Sequence, residues 1–140
     1  MTQKNYYQVP PMDIANHWSL FGALINKAMT KAQNDDYTVD GIFNRLINNQ
    51  WQLFVIIDGE ELESIFVSCV IHFDTRKYLN PIFITSNTDK KVDLAYMQQC
   101  LEEIAKAFGC NRIMGGGRAG WKKALSRFGY KDLNLVVKEL

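Results

Sequence analysis

The sequence predicts a single α+β domain in which helices flank a mixed, mostly antiparallel sheet. Three observations support this fold class. Two amphipathic helical patterns come first, an Asp58-Gly59 turn then joins two apolar strand-like segments, and the last thirty residues alternate strand, helix and strand. With 140 residues, 47% of them hydrophobic, the chain fits one domain over residues 1–140 that can bury a core.

The N-terminal region is predicted to be an extended arm followed by two helices. The arm covers residues 1–12, because prolines occupy two of its last three positions and keep the chain extended. A first helix is expected over residues 14–33 with Asp13 as its N-cap. Thr38 is expected to cap a second helix, whose apolar residues repeat at the spacing of a buried helical face.

Three strands are predicted in the middle of the chain. Residues 51–57 and 62–73 are apolar and strand-like, and the Asp58-Gly59 turn between them predicts an antiparallel hairpin. A third strand over residues 78–85 contains Pro81, which cannot donate a ladder hydrogen bond. That proline predicts an edge, a bulge or a splayed position in the sheet.

The second half of the chain is predicted to continue as helix, strand, helix and strand. A polar loop over residues 86–91 leads into an amphipathic helix that ends at Gly109. A short strand over residues 110–114 and a glycine turn then precede a helix that Gly129 terminates. The remaining residues are expected to form a strand to the terminus.

Composition disfavours several classes of function. Sixteen basic and fifteen acidic side chains leave a charge of +1, so nucleic acid is an unfavourable partner. No apolar run is long enough to span a membrane, and the polar N-terminus lacks a signal-peptide core, which predicts a cytoplasmic protein. Three cysteines without CxxC spacing are interpreted as buried thiols, and no metal site is expected.

Neither histidine is predicted to bind a metal or to take part in catalysis. His17 and His72 lack the spacing of metal ligands and are interpreted as partly exposed structural residues. The carboxylates of Glu60, Glu61 and Glu63 follow the hairpin turn and are interpreted as solubilising groups.

The element order and two C-terminal segments resemble the GNAT superfamily of N-acetyltransferases. The segments are AKAFGCNRI and GRAGWKKALSRFGYKD, and the resemblance extends from Thr38 to Leu140. A G-R-x-G-W string at residues 117–121 is also similar to small GNAT-like proteins predicted in bacteriophage genomes. The resemblance implies an acetyl-CoA site between two splayed strands, with the diphosphate held by backbone N–H groups at the start of the following helix.

The chain departs from the family pattern at the diphosphate motif. The usual Q/R-x-x-G-x-G/A sequence falls on Asp89, Val92 and Leu94, which places an acid at the basic position and bulky residues at both glycine positions. In the same loop, Thr88 or Asp89 is alternatively a helix cap in an ordinary solvated loop.

The family's catalytic helix is altered as well. Aligning Gly129-Tyr130 with the family's Gly-aromatic pair puts Arg118 at its cofactor-binding Asn, Trp121 at its small Ala and Leu125 at its proton-donating Tyr. Leucine cannot transfer a proton, and Tyr130 matches a packing position. No catalytic residue is therefore assigned.

Two functions of different classes follow from these departures. The first is a phage-encoded GNAT-fold protein without ordinary acetyl-CoA chemistry that binds a virion or host protein, in the host cytoplasm or in the virion. The second is an acyltransferase that binds the acetyl-CoA diphosphate through Thr88, Lys90, Lys91 and Arg118. A homo-oligomer held by exposed apolar residues is a further hypothesis.

Overall fold

The structure is a computed structural model that describes residues 3–115, 119–131 and 137–140, with the backbone alone for residues 119–122. Its described strands are β1 (Lys4–Gln8), β2 (Gln52–Asp58), β3 (Glu61–His72), β4 (Lys77–Ser86) and β5 (Arg112–Ile113). Its described helices are α1 (Pro11–Asn16), α2 (Trp18–Ala32), α3 (Val39–Ile47), α4 (Leu94–Ala107) and α5 (Ala119–Ser126). The predicted α+β class is confirmed, whereas residues 132–136 of the expected last strand lie outside the described residues.

The five strands form one sheet in the order β1-β2-β3-β4-β5. Neighbouring strands are antiparallel except for β4 and β5, which are parallel. Both faces of the sheet are covered, because Leu53 and Val55 of β2 pack against α1, α2 and α3, while Phe54 and Ile56 pack on the α4 side. The sheet is therefore sandwiched between two helical layers.

The N-terminal segment belongs to the sheet, which differs from the predicted arm over residues 1–12. Residues 4–8 pair antiparallel with β2, and the N–H of Val9 continues the pairing to Leu53 O at 2.9 Å. The extended chain ends at Pro10, and Pro11 is the first residue of α1. Proline suits the first helical turn because its missing N–H would have no helical partner there.

The helix predicted over residues 14–33 is divided in two at His17. That residue has φ −120° and ψ 26°, outside helical geometry, and it separates α1 from α2. Asp13 is consequently not an N-cap but lies in the first turn of α1. The predicted cap of α3 is confirmed, since Thr38 Oγ1 accepts a hydrogen bond from the N–H of Gly41 at 3.0 Å.

A β-bulge interrupts β4 beside Pro81. A bulge was one of the three alternatives that the proline predicted. Pro81 aligns with Ser68 of β3 and Phe83 aligns with Val67, so Ile82 has no partner in β3. Ile82 and Phe83 consequently both pack on the α1–α3 side, which a regular strand cannot do with consecutive residues.

The sheet splits between β4 and β5. The paired residues are Tyr78 with Arg112 and Leu79 with Ile113, and the described pairing of the two strands extends no further. From Pro81 onwards β4 keeps β3 as its described neighbour, so the pairing of the two parallel strands ends at Leu79, just before the bulge. This separation of the strands positions the candidate functional site.

Candidate functional site

The divergence of β4 from β5 opens a cleft of about 850 Å³, named here the β4–β5 cleft. Its walls are residues 81–86 of β4, residues 88–92 of the β4–α4 loop (residues 87–93), and parts of α2, α4 and α5 together with Gly115 and Tyr130. This volume is typical of a small-molecule site. The lining is apolar along α4 and α5, and it is charged around the loop and along α2.

The cleft reaches both faces of the sheet. On one face it is bounded by α2, through Lys27, Ala28, Lys31 and Ala32. On the other face it is bounded by α4, α5 and Tyr130. Because α2 and α4 pack against opposite faces, the cleft has one wall on each face of the sheet.

Three of the four sequence-predicted cofactor residues line this cleft. Thr88, Lys90 and Lys91 lie on the β4–α4 loop, together with Asp89 from the altered diphosphate motif. Arg118 lies outside the described residues, as does the side chain of Trp121. The structure therefore groups the predicted loop residues, and their binding of acyl-CoA stays a prediction.

Two backbone N–H groups of the β4–α4 loop form hydrogen bonds with side-chain hydroxyl groups. The N–H of Thr88 donates to Ser86 Oγ at 3.1 Å, and the N–H of Lys90 donates to Thr88 Oγ1 at 3.2 Å. Two amides are consequently engaged within the loop. An anion bound here would rely more on the exposed ammonium groups of Lys90 and Lys91 than on these N–H groups.

The N-terminus of α4 is capped by the chain's own carboxylate. Asp93 Oδ1 accepts a hydrogen bond from the N–H of Tyr96 at 3.1 Å, so Asp93 is the cap and the predicted Thr88 or Asp89 is not. Thr88 and Asp89 are too early in the chain, because α4 begins only at Leu94. The positive end of the α4 helix dipole therefore already lies next to the negative charge of Asp93.

Lys4 joins this cap to the sheet. Its Nζ lies 3.0 Å from Asp93 Oδ2 and 2.9 Å from Glu63 Oε1. Glu63, interpreted from sequence as a solubilising group, is thus part of a three-residue ion network. The hydrogen bond from Lys4, followed by the one from the N–H of Tyr96, lowers the pKa of Asp93.

The wall formed by α5 and the residues after it contains Leu125, which the resemblance aligns with the proton-donating Tyr, and Tyr130, which it aligns with a packing position. Leu125 and Tyr130 both line the cleft, and the hydroxyl of Tyr130 donates to Gln98 Oε1 at 2.8 Å. Burial raises the pKa of Tyr130, although the hydrogen bond to Gln98 acts in the opposite direction. The hydroxyl proton of Tyr130 is therefore engaged by Gln98.

Sequence reasoning missed the lysines of α2. Lys27 is half-buried and its Nζ donates to Ser86 O at 3.0 Å, while the exposed Lys31 follows one helical turn later. No carboxylate of the described residues lies within ion-pairing distance of Lys27, Lys31, Lys90 or Lys91. Only the i, i+4 spacing was visible in the sequence, and the packing of α2 against β4 depends on the tertiary fold.

The other candidate residues lie away from the cleft. His17 and His72 are both exposed. Cys100 is buried, and burial raises the pKa of its thiol to about 11. Within residues 3–115, 119–131 and 137–140, no three metal-ligating side chains are grouped. The helices described here are all too short or too polar to cross a bilayer.

Comparisons with known proteins identify the fold. No protein-family model and no curated protein sequence matches the chain. A predicted acetyltransferase from Clostridium acetobutylicum, solved with acetyl-CoA, has a TM-score of 0.73 at 12% identity and covers 99% of this chain and 96% of its own. A GCN5-related N-acetyltransferase from Ralstonia eutropha has a TM-score of 0.69 at 14% identity, over 99% of both chains.

A third solved structure, of an aminoglycoside N-acetyltransferase with a bisubstrate analogue of CoA and acetylneamine, has a TM-score of 0.72 at 9% identity. It matches 99% of this chain and 97% of its own. The chain therefore has the fold of the GNAT acetyltransferases, and that part of the predicted resemblance is confirmed. At these identities the similarity concerns fold alone.

Proposed function

We propose that this protein binds an acyl-CoA in the β4–β5 cleft and transfers the acyl group to an amine. The observation that carries the proposal is the divergence of β4 and β5. It leaves a cleft of about 850 Å³ that the described side chains do not fill. Two of the solved structures with this fold contain acetyl-CoA or CoA, which supports the same class of ligand here.

The charges of the cleft favour a polyanion of this kind. Four lysines and one aspartate, Asp89, are the charged residues among the described lining. CoA carries a diphosphate and a further phosphate, so the excess of positive charge is complementary to it. Lys90 and Lys91 would contact the diphosphate, while the apolar wall of Leu101 and Leu125 suits the uncharged arm of the molecule.

The chemistry requires little beyond positioning. An acyl-CoA supplies a thioester. The amine nitrogen forms a bond to the acyl carbon, the C–S bond breaks, and CoA leaves as a thiol. This chain contributes a cleft that orients the two reactants and a protonated phenol, Tyr130, in its wall. Leu125 cannot supply a proton, so we expect slower turnover than with a tyrosine at that position.

Isothermal titration calorimetry with acetyl-CoA tests the proposal directly. We expect saturable binding with one molecule per chain, and we expect the double substitution Lys90→Gln/Lys91→Gln to weaken it about tenfold or more, since a hydrogen bond to a charged group contributes about 1.5–3 kcal/mol. Lys106→Gln is the matched control, because Lys106 is an exposed lysine on α4 outside the cleft lining. Absence of binding heat by the unmodified chain would refute the acyl-CoA site.

A second candidate function is a GNAT-fold protein that acts by binding another protein, without acyl transfer. The specific support is the Asp93 cap on α4 together with the engaged amides of Thr88 and Lys90. These contacts use groups that a diphosphate would otherwise meet. The same calorimetry separates the candidates, because this function predicts no acetyl-CoA binding at any concentration up to millimolar.

A further inference from the structure

The two faces of the β4–β5 cleft differ in chemical character. The wall on the α4 and α5 face presents apolar groups and the Tyr130 phenol. The wall on the α2 face presents two lysines that alternate with two alanines, Ala28 and Ala32. Because the cleft has a wall on each face and a volume of about 850 Å³, it has room for two ligand groups that meet between the strands.

The α2 wall is built as a small cationic surface. Lys27 and Lys31 are four residues apart on one helix, so their side chains lie on the same face one turn apart. The half-buried ammonium of Lys27 is held by Ser86 O at 3.0 Å, and the adjacent alanines leave the space beside it open. Lysine has three N–H donors, so Lys27 retains capacity for an anion.

We propose that Lys27 and Lys31 bind the anionic group of the acceptor substrate, and that the acceptor is a small primary amine carrying a phosphate or carboxylate. This inference rests on the proposed function, in which the uncharged arm of an acyl-CoA occupies the apolar α4–α5 wall. The α2 face is then the remaining approach for the acceptor. Its two cations select against a positively charged acceptor and favour a negatively charged one.

The acyl transfer needs no reactant other than the acyl-CoA and the amine. The unprotonated amine nitrogen forms a bond to the acyl carbon, and the C–S bond to CoA breaks. The amine loses one proton to solvent, and the departing sulfur gains one. The anionic group bound by Lys27 and Lys31 does not react, so these two residues orient the acceptor and are expected to affect KM more than kcat.

The test compares acceptors that share a two-carbon primary amine and differ in charge: O-phosphoethanolamine, β-alanine and uncharged ethanolamine. CoA release is followed by a thiol reagent, and acetyl-CoA affinity is measured separately by calorimetry. We expect kcat/KM for at least one anionic acceptor to exceed that for ethanolamine by about tenfold, as expected for a charge-assisted contact. In Lys27→Gln/Lys31→Gln this preference should fall about tenfold through KM, whereas Lys106→Gln should retain it.

A second measurement examines the acceptor without acyl-CoA. Titration of ¹⁵N-labelled protein with O-phosphoethanolamine should shift the amide resonances of α2, and ethanolamine should not. Such shifts without any acetyl-CoA binding would refute the proposed acyl-CoA site while supporting the anionic-ligand site. Acyl transfer without preference for an anionic amine would refute the present inference and leave the proposed function intact. Loss of acetyl-CoA affinity in the double variant, with the acceptor preference retained, would also overturn it, because the lysines would then bind CoA.

Discussion

At the scale of single residues, Gly115 allows Leu125 and Tyr130 to pack closely in one wall of the β4–β5 cleft. A Cβ atom added there would lie 2.7 Å from Leu125 Cδ1 and 3.4 Å from two carbon atoms of the Tyr130 ring. The shorter distance is well inside van der Waals contact. A glycine two residues beyond β5 therefore allows Leu125 of α5 to pack against the backbone there.

Gly115→Ala is expected to destabilise the protein by about 1 kcal/mol, because Leu125 must leave its position. The cost lies at the low end for overpacking, since the clashing atom is the end of a flexible side chain. Urea unfolding measures the change. In a Leu125→Ala background the same glycine substitution should cost little, and an unchanged cost in that background would show that the clash is not the cause.

The candidate site was predictable from individual residues only in part. Pro81 indicated an irregular β4 strand, because a residue without an N–H cannot take part in regular pairing. Thr88, Lys90 and Lys91 were predictable because they belong to the loop between the third predicted strand and the following helix. The resemblance to GNAT proteins places the diphosphate at that loop. Lys27 and Lys31 were not, since their role depends on which strand α2 covers, and that is decided by packing of the whole core.

At the scale of elements, α4 is joined to the opposite end of the sequence at its first turn. Asp93 caps the helix, and Lys4 of β1 contacts both Asp93 and Glu63 of β3. Three elements thus meet at one ion network. The exposed side of this network is screened by solvent, so its main contribution is expected from the cap.

Asp93→Ala is expected to lower the free energy of unfolding by about 1 kcal/mol, the typical value of an N-cap, whereas Asp93→Asn should cost less because asparagine also caps helices. The carboxylate's folded-state pKa is lowered, so its ionic contribution is present above the usual pKa of 3.8 and is lost as the pH falls through the folded value. Urea unfolding at pH 7 and pH 3 measures both effects.

The control for this prediction is Asp74→Asn, in the exposed turn between β3 and β4. That substitution should change the stability little at either pH. Equal losses for Asp93→Ala and Asp93→Asn at pH 7 would indicate that charge pairing with Lys4, and not helix capping, is the main contribution.

Most elements were predictable because they depend on local signals. Thr38, the Asp58-Gly59 turn and Gly109 each mark an element boundary through a hydrogen bond or a positive φ that neighbouring residues determine. β1 was missed because KNYYQ is short and has no strong local preference. Its strand conformation depends on pairing with β2, a partner about fifty residues away.

At the scale of the whole molecule, two phenols link β1 to the α4 layer. Burial, followed by a hydrogen bond and the charge of Glu103, raises the pKa of Tyr6 to about 12. Burial, followed by interactions with Cys100, raises the pKa of Tyr96 to about 12. Because the pKa of a free tyrosine phenol is about 10, both side chains favour the folded state in their neutral form.

The protein is expected to lose stability steadily as the pH rises from 10 to 12. The folded-state values are raised, so the contribution of each phenol is complete below pH 10 and disappears as the pH rises through the folded value. Urea midpoints across this range measure the loss, and absorbance near 295 nm follows ionisation. Tyr6→Phe/Tyr96→Phe should flatten the dependence, and titration of both phenols near pH 10 in the folded protein would contradict the prediction.

The bridge from Lys4 to Asp93 also bears on how the chain folds as it is synthesised. The two residues are 89 positions apart, so the contact closes one of the longest loops in the protein. The first strand leaves the ribosome early, yet its ionic partner at the start of α4 appears only after two thirds of the chain has been made. Until then β1 is held by its pairing with β2 and by the contact of Lys4 with Glu63, and we expect its final position to be fixed only when α4 has formed.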